Sequence, residues 1–195
     1  MRYALLFFDG LCEPVNPGGV ATYGYAIYVD GRRIAADCGV VGSGMEGRDV
    51  TNNVAEYSAL IAGLRRLLEL GWREGVEIRG DSQLVIRQLQ GVYAVRSPRI
   101  APLYEEAKRL LSEFADVRLV WIPRELNREA DELSRKCYRE YCLSRYEEFR
   151  RFYARWLATP KQLALLRRLG VEPDPLLSKR EATRLIEKLL SERRR

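Results

Sequence analysis

Two rhythms of apolar and polar positions alternate along this chain. Tyr3 to Phe8 is a short, nearly continuous apolar run of the kind that forms a buried strand, and Asp9 reads as its end, ahead of a turn containing Asn16, Pro17, Gly18 and Gly19. Two β-rich runs, Tyr23 to Val29 and Arg33 to Val41, flank Asp30-Gly31, the strongest short hairpin signal. Three antiparallel strands therefore open the fold. The period then becomes helical: Thr51 caps a segment running to about Leu70, with Val54, Leu60, Ile61, Leu64, Leu67 and Leu68 on its apolar side and Gly71 as its stop. Val76 to Gly80 is a short strand ending at Asp81, and Ser82 onward is a helix closed by Gly91. Pro98 to Phe114 is another amphipathic helix, Val117 to Ile122 a strand, and Pro123 separates it from a helix starting near Asn127. A meander followed by strand and helix in alternation predicts an α/β fold, a mixed sheet flanked by helices.

From Asn127 the pattern continues through Tyr138, Tyr141, Tyr146, Phe149, Phe152, Tyr153 and Trp156, which predicts one long helix out to Leu157. Aromatics at that spacing read as core and docking surface rather than as a platform for stacking bases. Thr159-Pro160 starts a second helix as N-cap and first residue, Gly170 closes it, and Ser178 with Glu181 forms a capping box for a third. The expected division is a body, residues 1–143, and a small helical extension, residues 144–195.

Composition sharpens that division. With 47% hydrophobic and 31% charged residues, the 195-residue chain is expected to be a soluble globular protein. Its N-terminal apolar run is too short for a signal peptide or a spanning helix, so the cytoplasm is the expected compartment and no membrane partner is expected. Residues 144–195 carry 14 Lys and Arg against 7 Asp and Glu, whereas the first 143 carry 19 against 20. A neutral body with a basic tail points to a polyanion, with a merely solvated basic helix as the alternative. There is no His, which removes Ser-His and Cys-His mechanisms, and Cys12, Cys38, Cys137 and Cys142 lack the spacing of a zinc site. Four free thiols suit a reducing cytosol, and the sequence leaves open whether any of them pair. Abundant Arg and Glu with scarce Asn, Gln and Met lean toward a thermophilic source, where an intracellular disulfide is less surprising.

Four acids, Asp9, Glu56, Asp81 and Asp131, fall within about two helical turns of a strand end, the edge where open α/β sheets place their sites. Alone, Asp9 before Gly10 is ordinary turn chemistry. Together, the acids would repel by roughly 4 kcal/mol per pair about 4 Å apart, and hard oxygen ligands without His or Cys select Mg²⁺ or Mn²⁺.

The segments FFDGLCEPVNPGG, TNNVAEYSALIAGL, GDSQLVIRQL and WIPRELNREADELSR resemble the four motifs of type 1 ribonuclease H, in order, over about Tyr3 to Cys142. The resemblance implies a five-stranded mixed sheet, three antiparallel strands then two parallel, with helices on both faces. It implies a nuclease that cleaves the RNA strand of RNA/DNA hybrids, leaving 5′-phosphate ends, with two Mg²⁺ ions (Mn²⁺ as substitute) on Asp9, Glu56, Asp81 and Asp131. It also implies substrate contact by Asn16, Asn52, Asn53 and Gln83, and a DNA-strand phosphate seated by Thr51. The alternative for Thr51, Asn52 and Asn53 is helix capping. Double-stranded RNA is a second candidate substrate, since it shares an A-like minor groove. Where many family members have a loop His, this chain has Arg124, either a group that stabilises leaving-group or product charge or a surface ion-pair partner. Gly91 to Pro98 is too short for the basic protrusion of some members, so binding charge is expected from the tail. TPKQLALLRRLG and LSKREATRLIEKLL resemble a small helical hairpin appended to various DNA- and RNA-processing proteins. The rival reading is a catalytically silent hybrid-binding adaptor that works through that tail.

Overall fold

The computed structural model, which describes residues 2–193, turns the opening apolar run into an 11-residue strand, β1 (Tyr3–Glu13). β2 (Val20–Val29) and β3 (Arg32–Ser43) follow as a meander. Asp30 and Gly31 between them take positive φ, 50° and 74°, the mirror-image turn whose twist suits a hairpin. Next come α1 (Asn52–Glu69), β4 (Gly75–Gly80), α2 (Gln83–Leu89), α3 (Ala101–Leu111), β5 (Asp116–Trp121) and α4 (Arg128–Ser144). Thr51 Oγ1 accepts from the Val54 N–H at 3.2 Å, so α1 begins at its expected cap, and Ser82 Oγ accepts from the Val85 N–H at 3.4 Å and caps α2. The chain ends in α5 (Tyr146–Tyr153), α6 (Pro160–Arg168) and α7 (Lys179–Glu192). Two compact units meet in sequence between Tyr141 and Cys142.

The first unit is built on a sheet of order β3-β2-β1-β4-β5. β1, β2 and β3 pair antiparallel, while β1 with β4 and β4 with β5 pair parallel. Leu6 and Phe8 of β1, Ile27 and Ile78 are fully buried together with Tyr57, Leu60 and Leu64 of α1. Each such side chain contributes about 1.5–3 kcal/mol by leaving water. Alternation along β1 then sends Leu5, Phe7 and Asp9 to the opposite face.

Several expectations need correction. Asp9 does not end β1, because the strand runs on to Glu13 by pairing with β2 (Asp9 with Gly24, Glu13 with Val20). α3 is shorter than the expected 98–114. The long C-terminal helix breaks at Arg145 (φ −126°, ψ 36°), with neither Gly nor Pro at the break. The cysteines, left open between free thiols and a disulfide, divide: Cys38 on β3 and Cys137 on α4 form a disulfide with Cα atoms 6.0 Å apart across a sequence separation of 99, while Cys12 and Cys142 stay free and buried. Closing so long a loop typically stabilises a fold by about 2–4 kcal/mol.

In the second unit α6 and α7 carry their expected capping boxes. They do not form a hairpin of opposed helices. Gln162 Nε2 donates to the Lys179 carbonyl (3.1 Å) and to Thr183 Oγ1 (3.0 Å), joining the two N-terminal turns. Arg193 Nη2 donates to the Leu169 carbonyl at 3.1 Å, joining the C-terminal ends, so the helices run in the same direction and residues 170–177 carry the chain back. Leu166, Ala158 and Ala182 centre their small core. Phe149 and Tyr153 are fully buried with ring centroids 5.1 Å apart, in keeping with a core role, whereas Phe152 is half exposed. No helix among the described residues is long and apolar enough to cross a membrane.

Candidate metal centre and nucleic-acid groove

The site opens where the sheet changes partners. Parallel pairing of β1 with β4 stops at Phe7 and Arg79, after which β1 continues along β2 alone while β4 leaves the sheet at Gly80. Two residues beyond that last pair stand Asp9 and Asp81, level with each other at the diverging strands, the kind of crevice in which open sheets hold ligands. α1 adds Glu56 from its second turn. Asp9, Glu56 and Asp81 each offer an oxygen within 4.8 Å of the others, a set that could hold a metal ion.

Asp9 is 4% exposed and Glu56 5%. Burial, followed by the charges of Asp81 and Asp131, pushes the Asp9 carboxyl up to about 7, against a lowering hydrogen bond from Ser134. Burial and the charges of Asp9 and Asp81 hold Glu56 well above the usual carboxylate range. Glu56 Oε2 is buried without a hydrogen-bond partner, while Oε1 accepts from Asn52 Nδ2 at 3.4 Å. A buried carboxylate oxygen with no donor is costly unless a cation meets it. Hard donors, crowded negative charge and an orphaned oxygen all fit a divalent ion such as Mg²⁺ or Mn²⁺.

The raised pKa of Asp9 has a consequence that can be measured. Between about pH 4 and 7 the folded protein without metal keeps a proton that the unfolded chain has released, so stability from this group is full below the unfolded value and is lost as pH rises through about 7. Urea unfolding in EDTA is therefore expected to show lower stability near pH 8 than near pH 5, with the deficit removed by a divalent ion. Equal stability at both pH values would mean that these acids ionise normally.

Asp131 stands outside the tight triad. Its Oδ1 accepts from Arg124 Nη2 at 2.6 Å, and Arg135 Nε lies 3.1 Å from both carboxylate oxygens. Arg124 thus reaches the site through Asp131. Asn127, expected only as a helix start, turns its side chain inward instead: Nδ2 donates to the Phe8 carbonyl (2.9 Å) and to Asp81 Oδ1 (2.7 Å) at 1% exposure. Trp121 Nε1 donates to the Asp81 carbonyl at 3.1 Å. Sequence reasoning missed Asn127, Trp121 and Ser134 as supports of the acids, and the only signal for Asn127 was that an amide stood where a cap was expected.

The other expected residues flank the triad. Asn16 Oδ1 accepts from the Asn52 backbone N–H at 3.0 Å, fastening the loop after β1 to the start of α1. Thr51 performs the capping alternative. Asn16, Thr51 and Asn53 also line a groove of about 490 Å³ with Gln88, Arg96 and Arg99. Gln83 is exposed at the first turn of α2 and does not line it. Arg99 pairs with Asp49, whereas Arg96 makes no ion pair among the described residues. The short segment after Gly91 therefore brings a cation, Arg96, to the groove.

Comparison with known proteins places this geometry. Residues 31–137 match the family described as "Reverse transcriptase-like". The chain is 38% identical over 130 residues to Ribonuclease HI of Halobacterium salinarum, covering 66% of this chain and 60% of that protein's length. The N-terminal RNase H domain of a Mycobacterium tuberculosis protein superposes with a TM-score of 0.66 at 32% identity, over 74% of this chain and 99% of that one. LC11-RNase H1, solved in complex with an RNA/DNA hybrid, gives 0.64 at 33% identity, over 71% and 98%.

Proposed function

The chain belongs to the type 1 ribonuclease H family, and from that premise we propose that it is an endonuclease hydrolysing the RNA strand of RNA/DNA hybrids. The observation that carries the reading is the acidic triad of buried Asp9 and Glu56 with half-buried Asp81, their oxygens within 4.8 Å of one another. Two Mg²⁺ ions, held by these acids and by Asp131, would activate water and stabilise the leaving oxygen of a phosphodiester. Asp9, Glu56 and Asp81 fix the place of attack. Asn127 and Trp121 hold Asp81 still. Cleavage breaks the P–O3′ bond, so one product ends in a 5′-phosphate and the other in a 3′-hydroxyl that takes up a proton. Arg124 is placed beside Asp131 to meet negative charge on the product phosphate.

Asn16, Asn52, Asn53 and Gln83 supply donors and acceptors for ribose 2′-hydroxyls and minor-groove base edges, the groups that distinguish RNA from DNA. Thr51 and Arg96, sharing one groove, seat a phosphate of the DNA strand. A cleavage assay on matched hybrid, double-stranded RNA and double-stranded DNA, in Mg²⁺ and then in EDTA, tests this. Cleavage of hybrid that depends on metal supports it, cleavage of double-stranded RNA widens the substrate class, and binding without cleavage would instead indicate the silent adaptor.

The basic extension belongs to the same proposal as a second grip on the phosphate backbone. Arg151, Lys161, Arg168, Arg180 and Arg184 are exposed and make no ion pair among the described residues. Arg180 and Arg184 lie one turn apart on the side of α7 opposite Ala182, Leu185 and Leu189, which face its small core. Neutralising both, Arg180→Gln with Arg184→Gln, is expected to weaken hybrid binding and to reduce the slope of log K against log salt by about 1–2, with turnover of bound hybrid unchanged. An unchanged slope would assign the extension another purpose.

A further inference from the structure

Ser134 is fully buried on α4, one turn after Asp131. Its Oγ lies 2.6 Å from Asp9 Oδ2 and 2.9 Å from the Asp131 carbonyl oxygen. A hydroxyl has one hydrogen and cannot serve both acceptors at once. The carbonyl sits inside a helix, where it has a backbone N–H partner, whereas an ionised carboxylate is the shorter and stronger acceptor. The hydrogen therefore goes to Asp9 whenever Asp9 is charged. Among the described residues, Ser134 is the sole hydrogen-bond donor to that carboxylate, whose other charged neighbours are the acids Asp81 and Asp131 and, with the smallest effect, the Arg124 cation.

The packing that brings Ser134 there is specific. Gly24 stands opposite Asp9 in the β1/β2 register, and a Cβ on it would lie 2.4 Å from the Ala130 carbonyl oxygen and 2.6 Å from the Ser134 nitrogen. Only a residue without a side chain lets α4 cross this close. Thr22, two residues earlier on β2, donates its hydroxyl to the Ser134 carbonyl at 2.8 Å in the same buried layer. The Cys38–Cys137 bridge fastens the next turn of α4 to β3.

We propose that Ser134 is a positioning residue for the metal centre: its hydroxyl fixes the Asp9 carboxylate in the orientation that ligates and couples it to the helix that carries Asp131. The proposal rests on the reading of these acids as metal ligands. Ser134 touches neither substrate nor ion and acts through Asp9. Groups of this kind, standing behind a ligand, are commonly worth 10-fold to 100-fold in metal affinity.

The test measures binding of Mn²⁺ and Mg²⁺ to the full chain by calorimetry, without nucleic acid, alongside urea unfolding in EDTA. Ser134→Ala, which keeps the helix and nearly the volume, is expected to weaken ion binding by about tenfold or more. Thr22→Val is the control, since it removes a hydrogen bond to the same serine's backbone but leaves the hydroxyl in place. It is expected to lower the urea midpoint and leave ion affinity unchanged. Wild-type affinity in Ser134→Ala would overturn the proposal, as would an equal loss in Thr22→Val, because helix docking alone would then explain both. A wild-type chain that binds neither ion overturns the metal-centre reading and, with it, the role of Ser134.

Discussion

Asp9→Asn is expected to lower turnover of an RNA/DNA hybrid by a factor of about 10³ or more, equivalent to about 4 kcal/mol of transition-state stabilisation, while hybrid binding persists. The substitution keeps the shape of the side chain and leaves an oxygen for the Ser134 hydroxyl, so β1 and its pairing with Gly24 have no reason to move. What changes is charge. The triad falls from three carboxylates to two, and the remaining pair no longer presents the field that concentrates a divalent ion in this crevice. The same loss should make the protein more stable in EDTA near pH 8, because Glu56 and Asp81 are relieved of a buried like charge. That opposite movement of activity and stability separates a lost ligand from a damaged fold. Single-turnover cleavage, hybrid binding by fluorescence anisotropy and urea unfolding are the three measurements. Turnover within tenfold of wild type would contradict the assignment of Asp9.

The strands and helices of each unit were legible because they are built on local periodicity and caps: Thr51 in the first unit and Thr159 and Ser178 in the second each accept the expected backbone N–H. The end of β1 was not. Asn16, Pro17, Gly18 and Gly19 are a true turn, but Asp9 and Gly10 ahead of them continue the strand because β2 pairs with them, and pairing is a tertiary fact. The same holds for Asn127, Ser134 and the Cys38–Cys137 bridge, whose partners lie 119, 125 and 99 positions away in sequence. An asparagine before a helix and a serine within one carry the same letters whether they face water or a buried carboxylate. The break at Arg145 also escaped, since the apolar spacing from Cys142 through Tyr146 and Phe149 to Tyr153 is that of an unbroken helix. The acids were legible as residues but not as a geometry. Three converge, while the fourth, Asp131, is engaged by Arg124 and Arg135.

Gly10→Ala is expected to damage the site from behind, without touching an acid. Sequence makes Gly10 the second half of an Asp-Gly turn, yet its place in mid-strand gives it another reason to lack a side chain. A Cβ there would lie 2.2 Å from the Glu56 nitrogen, 2.5 Å from the Ala55 carbonyl carbon and 2.7 Å from the Glu56 Cα. All three are backbone atoms of α1, so no side chain can swing aside and the helix itself must retreat. α1 carries Glu56, Asn52 and Asn53 in its first two turns and Thr51 as its cap, and a retreat of about 1 Å is enough to cost roughly 10²-fold in rate. Overpacking of this kind also costs about 1–3 kcal/mol or more in stability. The expected result is thus a folded but weakened protein whose kcat/KM on hybrid falls by about two orders of magnitude and whose divalent-ion affinity falls with it. Gly18, whose added Cβ would meet nothing within 4 Å, provides the comparison: Gly18→Ala carries only the strain of its positive φ, about 1 kcal/mol, and should leave ion affinity alone. If Gly10→Ala bound ions and cleaved hybrid as well as Gly18→Ala, the close approach of α1 to β1 would not be what brings Glu56 to Asp9.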